Sequence, residues 1–457
     1  MKKANTPARE KQSINVYSKL TAGYLAIMLF AYLLFTGFNG YGGIYAQKYS
    51  AFCVISVAYV ALTLLIKIER VIIGAEKLRS PIDIYKSLNI AQKLVILYLF
   101  LTVLSTLTSP FFKTSLLGGT GEEGLLTIAL YCLCFLLISA SATPRRWMAY
   151  LFFASVSINS IIALIQLAGY NPLGLYPDGV NYYDANKLYP GTFLGTIGNV
   201  DLLAGILCLS IPAMTAAVIK TAKVRNKLLI CGALMLSLAV LILSPVAGAI
   251  LGAVGGVVIS IPILVKGKHR RVAVIVIAVI LLLALIAVYF FGASLGGTAF
   301  ELSELMHGRW NDHFGSGRIY IWRNVLDLIA ERPILGGGPD TLGLRREIAF
   351  ERYDEALGLT IHSTVSSAHN EYLNILVNQG ALSLLAYLAL LCAALIRWVK
   401  RSKDSAAVCI CGCAVVGYCI QAFFEISSPL QTPYLWIALA LLCSLSIDNI
   451  KGKGELK

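Results

Sequence analysis

Residues 272–292 read VAVIVIAVILLLALIAVYFFG, a run of 21 residues without one charged side chain. A helix that crosses the hydrocarbon core of a bilayer needs about 20 consecutive apolar residues, so this stretch predicts a membrane span. Across the 457 residues, 58% are hydrophobic and only 14% are charged, whereas soluble chains carry roughly 25% charged residues. The composition therefore excludes a soluble globular, disordered or collagen-like chain and predicts a polytopic membrane protein.

Eleven further stretches have the length and polarity of membrane spans. We predict an all-α integral membrane protein with about 12 transmembrane helices, lying near residues 20–38, 51–67, 94–112, 124–143, 147–169, 200–219, 228–244, 246–265, 272–292, 371–396, 405–424 and 433–448. The long connection at about 293–370 should contain short amphipathic helices. Gly248, Gly252 and Gly256 share one face of the eighth span and predict close helix packing there.

The basic residues are distributed unevenly between the two sides of the predicted membrane. With the N-terminus inside, 28 of the 38 lysines and arginines lie in the inner segments, which is the positive-inside pattern. We therefore expect a multi-pass plasma-membrane protein with both termini cytoplasmic and a retained first span. This topology also accounts for the net charge of +14, which in a soluble protein would suggest nucleic acid, and no nucleic-acid partner is expected.

The outer segment at 170–199 is rich in tyrosine. Tyr182 and Tyr183 stand beside Asp184, and aromatic faces next to hydrogen-bonding side chains suit sugar binding. An aromatic belt at the membrane interface would produce the same pattern. Asp201 follows at the outer end of the sixth span, so Tyr182, Tyr183 and Asp201 are possible glycan-binding residues.

The long outer loop contains a helical pattern. Ser316 can cap a helix that begins near Gly317, and an apolar stripe follows at three- and four-residue steps, formed by Ile319, Trp322, Leu326 and Ile329. The pattern predicts an amphipathic helix on the outer leaflet. Arg318 lies in its first turn, where it can share a phosphate with free backbone N–H groups. Contact with lipid headgroups is the alternative.

His369 lies where the long loop re-enters the membrane, directly before the tenth span. Imidazole titrates near neutrality, so this residue is well placed as a general base, although a structural histidine is the alternative. His313 and His362 in the same loop could hold the role instead. The spans carry almost no ionisable residue at mid-depth, which argues against a proton-coupled transporter.

Four segments on this twelve-span chain resemble the O-antigen ligase and polymerase superfamily. They are GTIGNVDLLAG (195–205), GSGRIYIW (315–322), ILGGGPDTL (334–342) and AHNEYLNILVNQG (368–380). The resemblance implies a GT-C-like fold and a glycosyltransferase on the outer face of the plasma membrane. Such proteins move a glycan from an undecaprenyl diphosphate carrier to an acceptor hydroxyl, with inversion and without a metal or other cofactor. His369 matches the histidine taken to activate the acceptor, and Arg318 matches an arginine taken to hold the carrier diphosphate.

One departure from the family's pattern concerns a second arginine. Members often carry it in a Ser-Arg-Gly-Ala stretch between the seventh and eighth spans, where this chain reads Leu-Ser-Pro-Val-Ala-Gly (243–248). Either another group completes the phosphate clamp, with Arg323, Arg345 and Arg346 as candidates, or the donor differs.

We expect a surface-polysaccharide polymerase or ligase whose partners are an undecaprenyl diphosphate-linked glycan donor, a glycan or lipid acceptor, and membrane lipid. A protein O-oligosaccharyltransferase and a flippase or transporter of a polyisoprenoid-linked glycan are the alternatives. A flippase would use Arg318 but would not need a base at His369. The expected organisation is an N-terminal helical part with the tyrosine-rich loop (1–194), a ligase-like transmembrane domain (195–448) and a cytoplasmic tail (449–457).

Overall fold

A computed structural model describes residues 6–188, 193–244, 246–265, 267–354 and 359–447. The first fifteen helices are α1 (Thr6–Ala26), α2 (Ile44–Ile72), α3 (Pro81–Ser87), α4 (Ile90–Leu107), α5 (Phe112–Leu117), α6 (Leu125–Ser141), α7 (Arg146–Leu167), α8 (Tyr182–Leu188), α9 (Val200–Lys220), α10 (Val224–Leu243), α11 (Ala247–Leu264), α12 (His269–Leu295), α13 (Gly297–Met306), α14 (Arg318–Glu331) and α15 (Leu342–Arg345). Two strands follow, β1 (Ile348–Asp354) and β2 (Leu359–Val365), and then the last three helices, α16 (Glu371–Arg401), α17 (Ala406–Gln421) and α18 (Thr432–Leu442).

The twelve predicted spans coincide with twelve apolar helical stretches. Eight are helices long and apolar enough to cross a membrane by themselves, and they include α2, α4, α7, α9, α10, α11, α12 and α16. Four shorter apolar stretches cover the remaining spans, namely Val16–Tyr32, Leu125–Ser141, Ala406–Gln421 and Thr432–Ile447. The first of these continues α1 through a π-helical segment, Ile27–Tyr32. The predicted all-α membrane fold is confirmed.

The connections between successive spans gather at two ends of the bundle. One end, which we call the loop end, carries the connections at 108–124, 168–199, 296–370 and 422–431. The opposite end, which we call the basic end, carries shorter connections, and lysines and arginines are frequent both in these connections and in the helix ends that flank them. The segments that the sequence analysis predicted to carry the candidate site residues therefore lie at the loop end.

The long loop contains one element that the sequence interpretation did not predict. β1 and β2 form an antiparallel hairpin in which Ile348 pairs with Val365. Both residues are buried, because they pack in a small core with α14, α15 and α16. The loop thus contains this hairpin in addition to short helices such as α13, α14 and α15.

The glycines of α11 permit close helix packing, as their spacing predicted. A Cβ added at Gly252 would lie 2.8 Å from Gln421 Cβ, and one at Gly256 would lie 2.7 Å from Gly417 Cα. α11 therefore packs directly on α17 and on α9, which is buried along most of its length. α9 forms the centre of the bundle.

A break in α16 at Gly380 fixes the position of the segment at 333–338. Gly380 has φ +82°, a left-handed conformation that glycine adopts at no steric cost. The break frees helix carbonyls, and the backbone N–H of Gly337 donates to the carbonyl of Val377 at 3.1 Å. A side chain at position 380 would collide with the Ile334 carbonyl oxygen, which lies 2.2 Å from an ideal Cβ. Backbone contacts therefore join the segments ILGGGPDTL and AHNEYLNILVNQG.

Candidate active site

A cavity of about 250 Å³ opens at the loop end of the bundle. Its wall combines parts of the chain that are far apart in sequence, including the connection at 118–124, Asp340, the segment at 366–374 and the segment at 425–428. His369 is among the lining residues, together with hydroxyl, amide and carboxyl groups. Such a wall suits a polar ligand rather than a lipid tail.

His369 lies at the cavity wall directly before α16. Its backbone has φ +45°, which is costly for a residue other than glycine and which clusters at functional sites. Asn370 follows as the N-cap of α16, and its side-chain oxygen accepts the backbone N–H of Leu373 at 3.0 Å. Burial, with a smaller contribution from the positive charge of Arg318, lowers the pKa of His369 to about 4. The imidazole is therefore neutral near pH 7, which corrects the expectation that it titrates near neutrality.

Arg318 is the first residue of α14, in the first helical turn as predicted. Its Nη1 donates to the carbonyl of Gly315 and its Nη2 to the carbonyl of Phe424, both at 3.0 Å. Its Nε is buried and has no hydrogen-bond partner in the described part of the chain. The predicted cap is wrong: the N-cap is Gly317, at φ +83°, and not Ser316. A left-handed N-cap favours glycine over serine.

α14 positions both candidate residues. Arg318 stands at its start, and one turn later the indole N–H of Trp322 donates to the carbonyl of Ala368 at 3.0 Å. Ala368 directly precedes His369 in the chain. One helix, α14, therefore carries Arg318 and also contacts the backbone of Ala368 next to His369, so it fixes the distance between the two candidate residues.

The buried face of α14 differs from the predicted stripe. Ile321, Val325 and Leu328 are buried in the core that α14 shares with the hairpin and α16, whereas Leu326 of the predicted stripe is 55% exposed. Apolar residues cover more than half of the circumference of α14. Their spacing alone therefore did not decide which face of the helix packs against the core. The buried face lies about 100° away, one residue along the helix. Contact of the exposed face with the outer leaflet stays a prediction.

Asp340 joins its motif to the connection at 118–124. Its Oδ2 accepts the backbone N–H of Gly119 at 2.6 Å and that of Gly121 at 3.1 Å. Burial raises the pKa of Asp340, and these hydrogen bonds oppose the rise. The carboxylate thus orders a glycine-rich segment of the cavity wall.

Two buried glutamates also line the cavity. Burial raises the pKa of Glu123 to about 8, and the hydroxyl of Tyr131 donates to its Oε1 at 2.7 Å. Burial and the neighbouring Asp201 raise the pKa of Glu425, while Arg318 opposes the rise. A carboxyl group with a raised pKa retains its proton near neutral pH and can donate a hydrogen bond to a ligand.

The sequence interpretation missed Glu123 and Asp340. A signal was present, because GGTGEEG (118–124) places four glycines and two glutamates in one outer connection. Glycines without a side chain let backbone N–H groups approach a carboxylate closely. The partner of Gly119 lies 221 residues away, however, and no local pattern links the two positions.

Residues 232–388, from α10 into α16, match the family model described as O-antigen ligase. The match covers about a third of the chain and supports the O-antigen ligase superfamily for that segment. The resemblance noted in the sequence is thereby confirmed, and the family implies a glycosyltransferase-type activity in polysaccharide assembly. No curated protein matches the chain. The matched segment contains Arg318, Asp340 and His369, whereas Glu123 and Glu425 lie outside it.

The three other arginines that were candidates for the phosphate clamp have partners of their own. Arg345 is largely buried and donates to two backbone carbonyls, one in α14 and one in α16. Arg323 forms an ion pair with Asp312 at 2.9 Å, and Arg346 forms one with Asp327 at 3.3 Å. Neither these three nor Arg318 is among the described residues that line the cavity, but Arg318 lies within electrostatic reach of the lining residues Asp201, His369 and Glu425. The geometry gives the clamp hypothesis no support at these positions.

The stretch at 243–248, where ligases often carry a second arginine, adjoins the contacts of Arg318. A Cβ added at Gly248 would lie 2.8 Å from Phe424 Cβ, and Phe424 supplies the carbonyl that accepts a hydrogen bond from Arg318. Pro245 itself lies outside the described residues. Gly248 of this stretch is therefore close to the backbone that holds Arg318.

The possible glycan-binding residues are separated in space. Tyr182 is buried, and the hydroxyl of the half-exposed Tyr183 donates to the carbonyl of Leu167 at 2.7 Å. Neither tyrosine is among the described lining residues of the cavity, whereas Asp201 is. The backbone N–H of Asp201 donates to Asn199, the N-cap of α9.

The alternative histidines lie elsewhere in the loop. His313 is exposed and is not among the described lining residues of the cavity. His362 lies in β2, where its backbone pairs opposite Glu351, and its side chain is outside the described part of the structure.

Proposed function

We propose that this protein transfers a glycan from an undecaprenyl diphosphate carrier to an acceptor hydroxyl, as a polymerase or ligase of surface-polysaccharide assembly. The transfer proceeds with inversion at the sugar and needs no metal ion. The observation that carries the proposal is His369 at the wall of a polar cavity, within electrostatic reach of Arg318. The family match supports glycan transfer but does not name the carrier.

His369 acts as the general base. The acceptor oxygen attacks the anomeric carbon of the donor sugar as the bond from that carbon to the diphosphate oxygen breaks, and the hydroxyl proton passes to the imidazole. The electron pair leaves with the diphosphate, which is a good leaving group and needs little acid assistance. A neutral imidazole is the form that accepts a proton, and the low pKa of His369 keeps it in that form.

Donor binding would strengthen this base. An imidazole with a pKa near 4 is a weak acceptor, and part of the depression comes from the positive charge of Arg318. The negative charge of a diphosphate beside Arg318 would offset that charge and raise the pKa of His369 towards neutrality. The base would then be strongest when the donor is in place.

Arg318 holds the diphosphate. Its planar guanidinium can grip two phosphate oxygens, and its unpaired Nε is one of the donors available for that contact. It also stands at the N-terminus of α14, where the helix dipole favours an anion, and the backbone N–H groups of Arg318 and Ile319 already donate to the carbonyls of Gly315 and Phe314. The carbonyls of Gly315 and Phe424 would hold the remaining N–H groups in position.

We further propose that the loop end faces the outside of the plasma membrane and that both termini are cytoplasmic. The distribution of 28 of 38 basic residues supports this orientation. The ligase-like part would then be 195–448, preceded by 1–194 and followed by the tail at 449–457. Cysteine substitutions at Asp178 and Lys268, both exposed and at opposite ends, test the orientation. In intact cells, an impermeant thiol reagent should label position 178 and not position 268, and the reverse result would overturn it.

The reaction itself is tested with purified protein in liposomes that contain a lipid-linked glycan and an acceptor. The expected result is a new glycosidic bond, with release of the carrier diphosphate and no loss of rate in the presence of a metal chelator. If the protein instead moves the lipid-linked glycan across the bilayer and never forms a bond, the flippase alternative replaces the proposal. Product formation only with a polypeptide acceptor would assign the protein O-oligosaccharyltransferase.

A further inference from the structure

An apolar crevice at the basic end of the bundle has no part in the proposed transfer. It lies between α7, α9, α17 and α18, and its walls are almost wholly apolar. Arg145 and Arg146 stand at its mouth, and Tyr434 lies at its far end. Along α7 the crevice extends from Arg146 to Phe153, a rise of about 10 Å at 1.5 Å per residue.

The mouth of the crevice is positively charged. The side chains of Arg145 and Arg146 are exposed, and neither forms an ion pair or hydrogen bond within the described residues. The start of α7 adds to this charge, because no side chain caps its first backbone N–H groups. No aspartate or glutamate is among the described residues that line the crevice. A phosphate at this position would meet only favourable charges.

We propose that this crevice binds one anionic phospholipid, with its phosphate on Arg145 and Arg146 and an acyl chain between the four helices. Apolar walls favour a hydrocarbon chain over a sugar or a free phosphate. Basic pockets between membrane helices on the cytoplasmic side suit anionic headgroups, and the predicted orientation puts the basic end on that side. The site lies at the opposite end of the bundle from His369, so it is independent of the proposed transfer.

The bound lipid would stabilise the centre of the bundle. The crevice separates α7 from α17 and α18, and it borders Leu209 and Ala213 of the buried helix α9. An acyl chain would fill space between these helices, and a lipid that binds only the folded state raises its stability.

Lipid binding is measured by native mass spectrometry on the purified full-length protein, with phosphatidylglycerol and phosphatidylcholine of identical acyl chains. The wild type should retain one phosphatidylglycerol far more strongly than phosphatidylcholine. The double variant Arg145→Ala/Arg146→Ala should lose about 30-fold in affinity for phosphatidylglycerol, since each arginine near a lipid surface contributes about 1 kcal/mol. The matched control is Lys223→Ala/Arg225→Ala, which removes two exposed charges at the same end, and it should bind as the wild type does. Equal binding of the two lipids, or an equal loss in the control, would overturn the proposal.

A second variant tests the acyl chain without changing the charge. Ala149→Phe fills the crevice from α7 and should weaken phosphatidylglycerol binding to a similar extent. Glycerophosphoglycerol, which carries the same headgroup without acyl chains, should not compete for the site in the wild type. Competition by this headgroup at the affinity of the intact lipid would show a phosphate site only and would reject the lipid assignment.

Discussion

The tyrosine-rich segment at 170–199 and the long loop at 296–370 both lie at the loop end, and both carry the polar and aromatic side chains of a binding site. In the first, the two candidate tyrosines do not line the cavity. The rings of Tyr182 and Tyr183 meet edge to face with their centroids 5.2 Å apart, and the hydroxyl of Tyr183 donates to the carbonyl at the end of α7. In the second, Arg318 and Trp322 reach other elements beside the cavity. Residue type alone did not show which of the two segments forms the candidate site. The elements that each side chain contacts do show it.

The largest loss of transfer rate is expected when His369 is substituted. His369→Ala should fold and bind the lipid-linked donor, while transfer falls by about 10²–10⁴-fold, the contribution typical of a positioned base. His369→Gln should not restore the rate, because an amide cannot accept the proton. The measurement is product formation in liposomes, with donor binding assayed separately. His313→Ala is the matched control in the same loop and should leave the rate unchanged. Transfer at the wild-type rate in His369→Ala would remove the histidine from the reaction.

A smaller effect is expected at Arg318. Arg318→Ala should weaken donor binding by about 1–3 kcal/mol, roughly 5- to 150-fold, because a charged hydrogen bond is lost. Arg318→Lys should recover only part of the loss, since it retains the charge but not the planar fork. Binding of the lipid-linked donor is measured by titration. The exposed Arg323, paired with Asp312, supplies the control Arg323→Ala, and an equal loss there would point to general charge rather than a site.

Trp322→Phe separates positioning from binding. It removes the hydrogen bond to the carbonyl of Ala368 and should lower kcat about 2- to 10-fold, as a hydrogen bond is worth about 0.5–1.5 kcal/mol. KM for the donor should not change, because the indole is expected to act through the backbone next to His369. Trp310→Phe, at an exposed tryptophan of the same loop, should behave as the wild type. A rise in KM with unchanged kcat would contradict the positioning role.

Tyr183→Phe tests the other segment. Loss of the bond to the Leu167 carbonyl should lower the free energy of unfolding by at most about 1 kcal/mol, since the group is half exposed. Transfer should proceed at the wild-type rate, because Tyr183 is not among the described residues that line the cavity. Thermal unfolding and product formation are the two measurements. A large loss of transfer in a folded protein would return Tyr183 to the site.

The smallest change in activity is expected when the pH is varied. A pKa of about 4 keeps His369 neutral and active above that value, and activity is lost only as the pH falls through it. Between about pH 7.5 and about pH 5.5, kcat/KM should therefore change by less than about twofold, whereas an unperturbed histidine with a pKa near 6.5 would cause a fall of about tenfold. The inflection in kcat should lie at higher pH than that in kcat/KM, because a bound diphosphate raises the pKa. A tenfold fall in kcat/KM would show that burial does not depress the pKa of the base.

The membrane spans were predictable because an uncharged apolar run such as 272–292 is stable as a helix inside a bilayer and not in water. The start of α14 was also close to its prediction, since Gly317 and Arg318 mark it locally. The packed face of α14 was not, because Ile321 and Leu326 are equally apolar and only the hairpin and α16 decide between them. The hairpin itself depends on contacts with that same core.

The cavity was only partly predictable. Arg318 and His369 stand in recognisable motifs, but Glu123 joins the wall through Asp340, whose bonds to Gly119 and Gly121 cross more than two hundred residues. Contacts of that separation leave no periodicity in one sequence. The pKa of His369 was likewise beyond prediction, because it depends on burial and on the distance to Arg318.

The break at Gly380 also determines how deeply the start of α16 would lie in a bilayer. The uncharged helix after the break, residues 381–396, rises about 24 Å at 1.5 Å per residue before Arg397, which is less than the hydrocarbon thickness of about 30 Å. In a bilayer, part of the helix at 371–379 would therefore complete the span, and His369 before it would lie near the lipid headgroups. A proton released there and a departing diphosphate would enter water and headgroups rather than hydrocarbon, so neither would have to cross a medium of low dielectric constant.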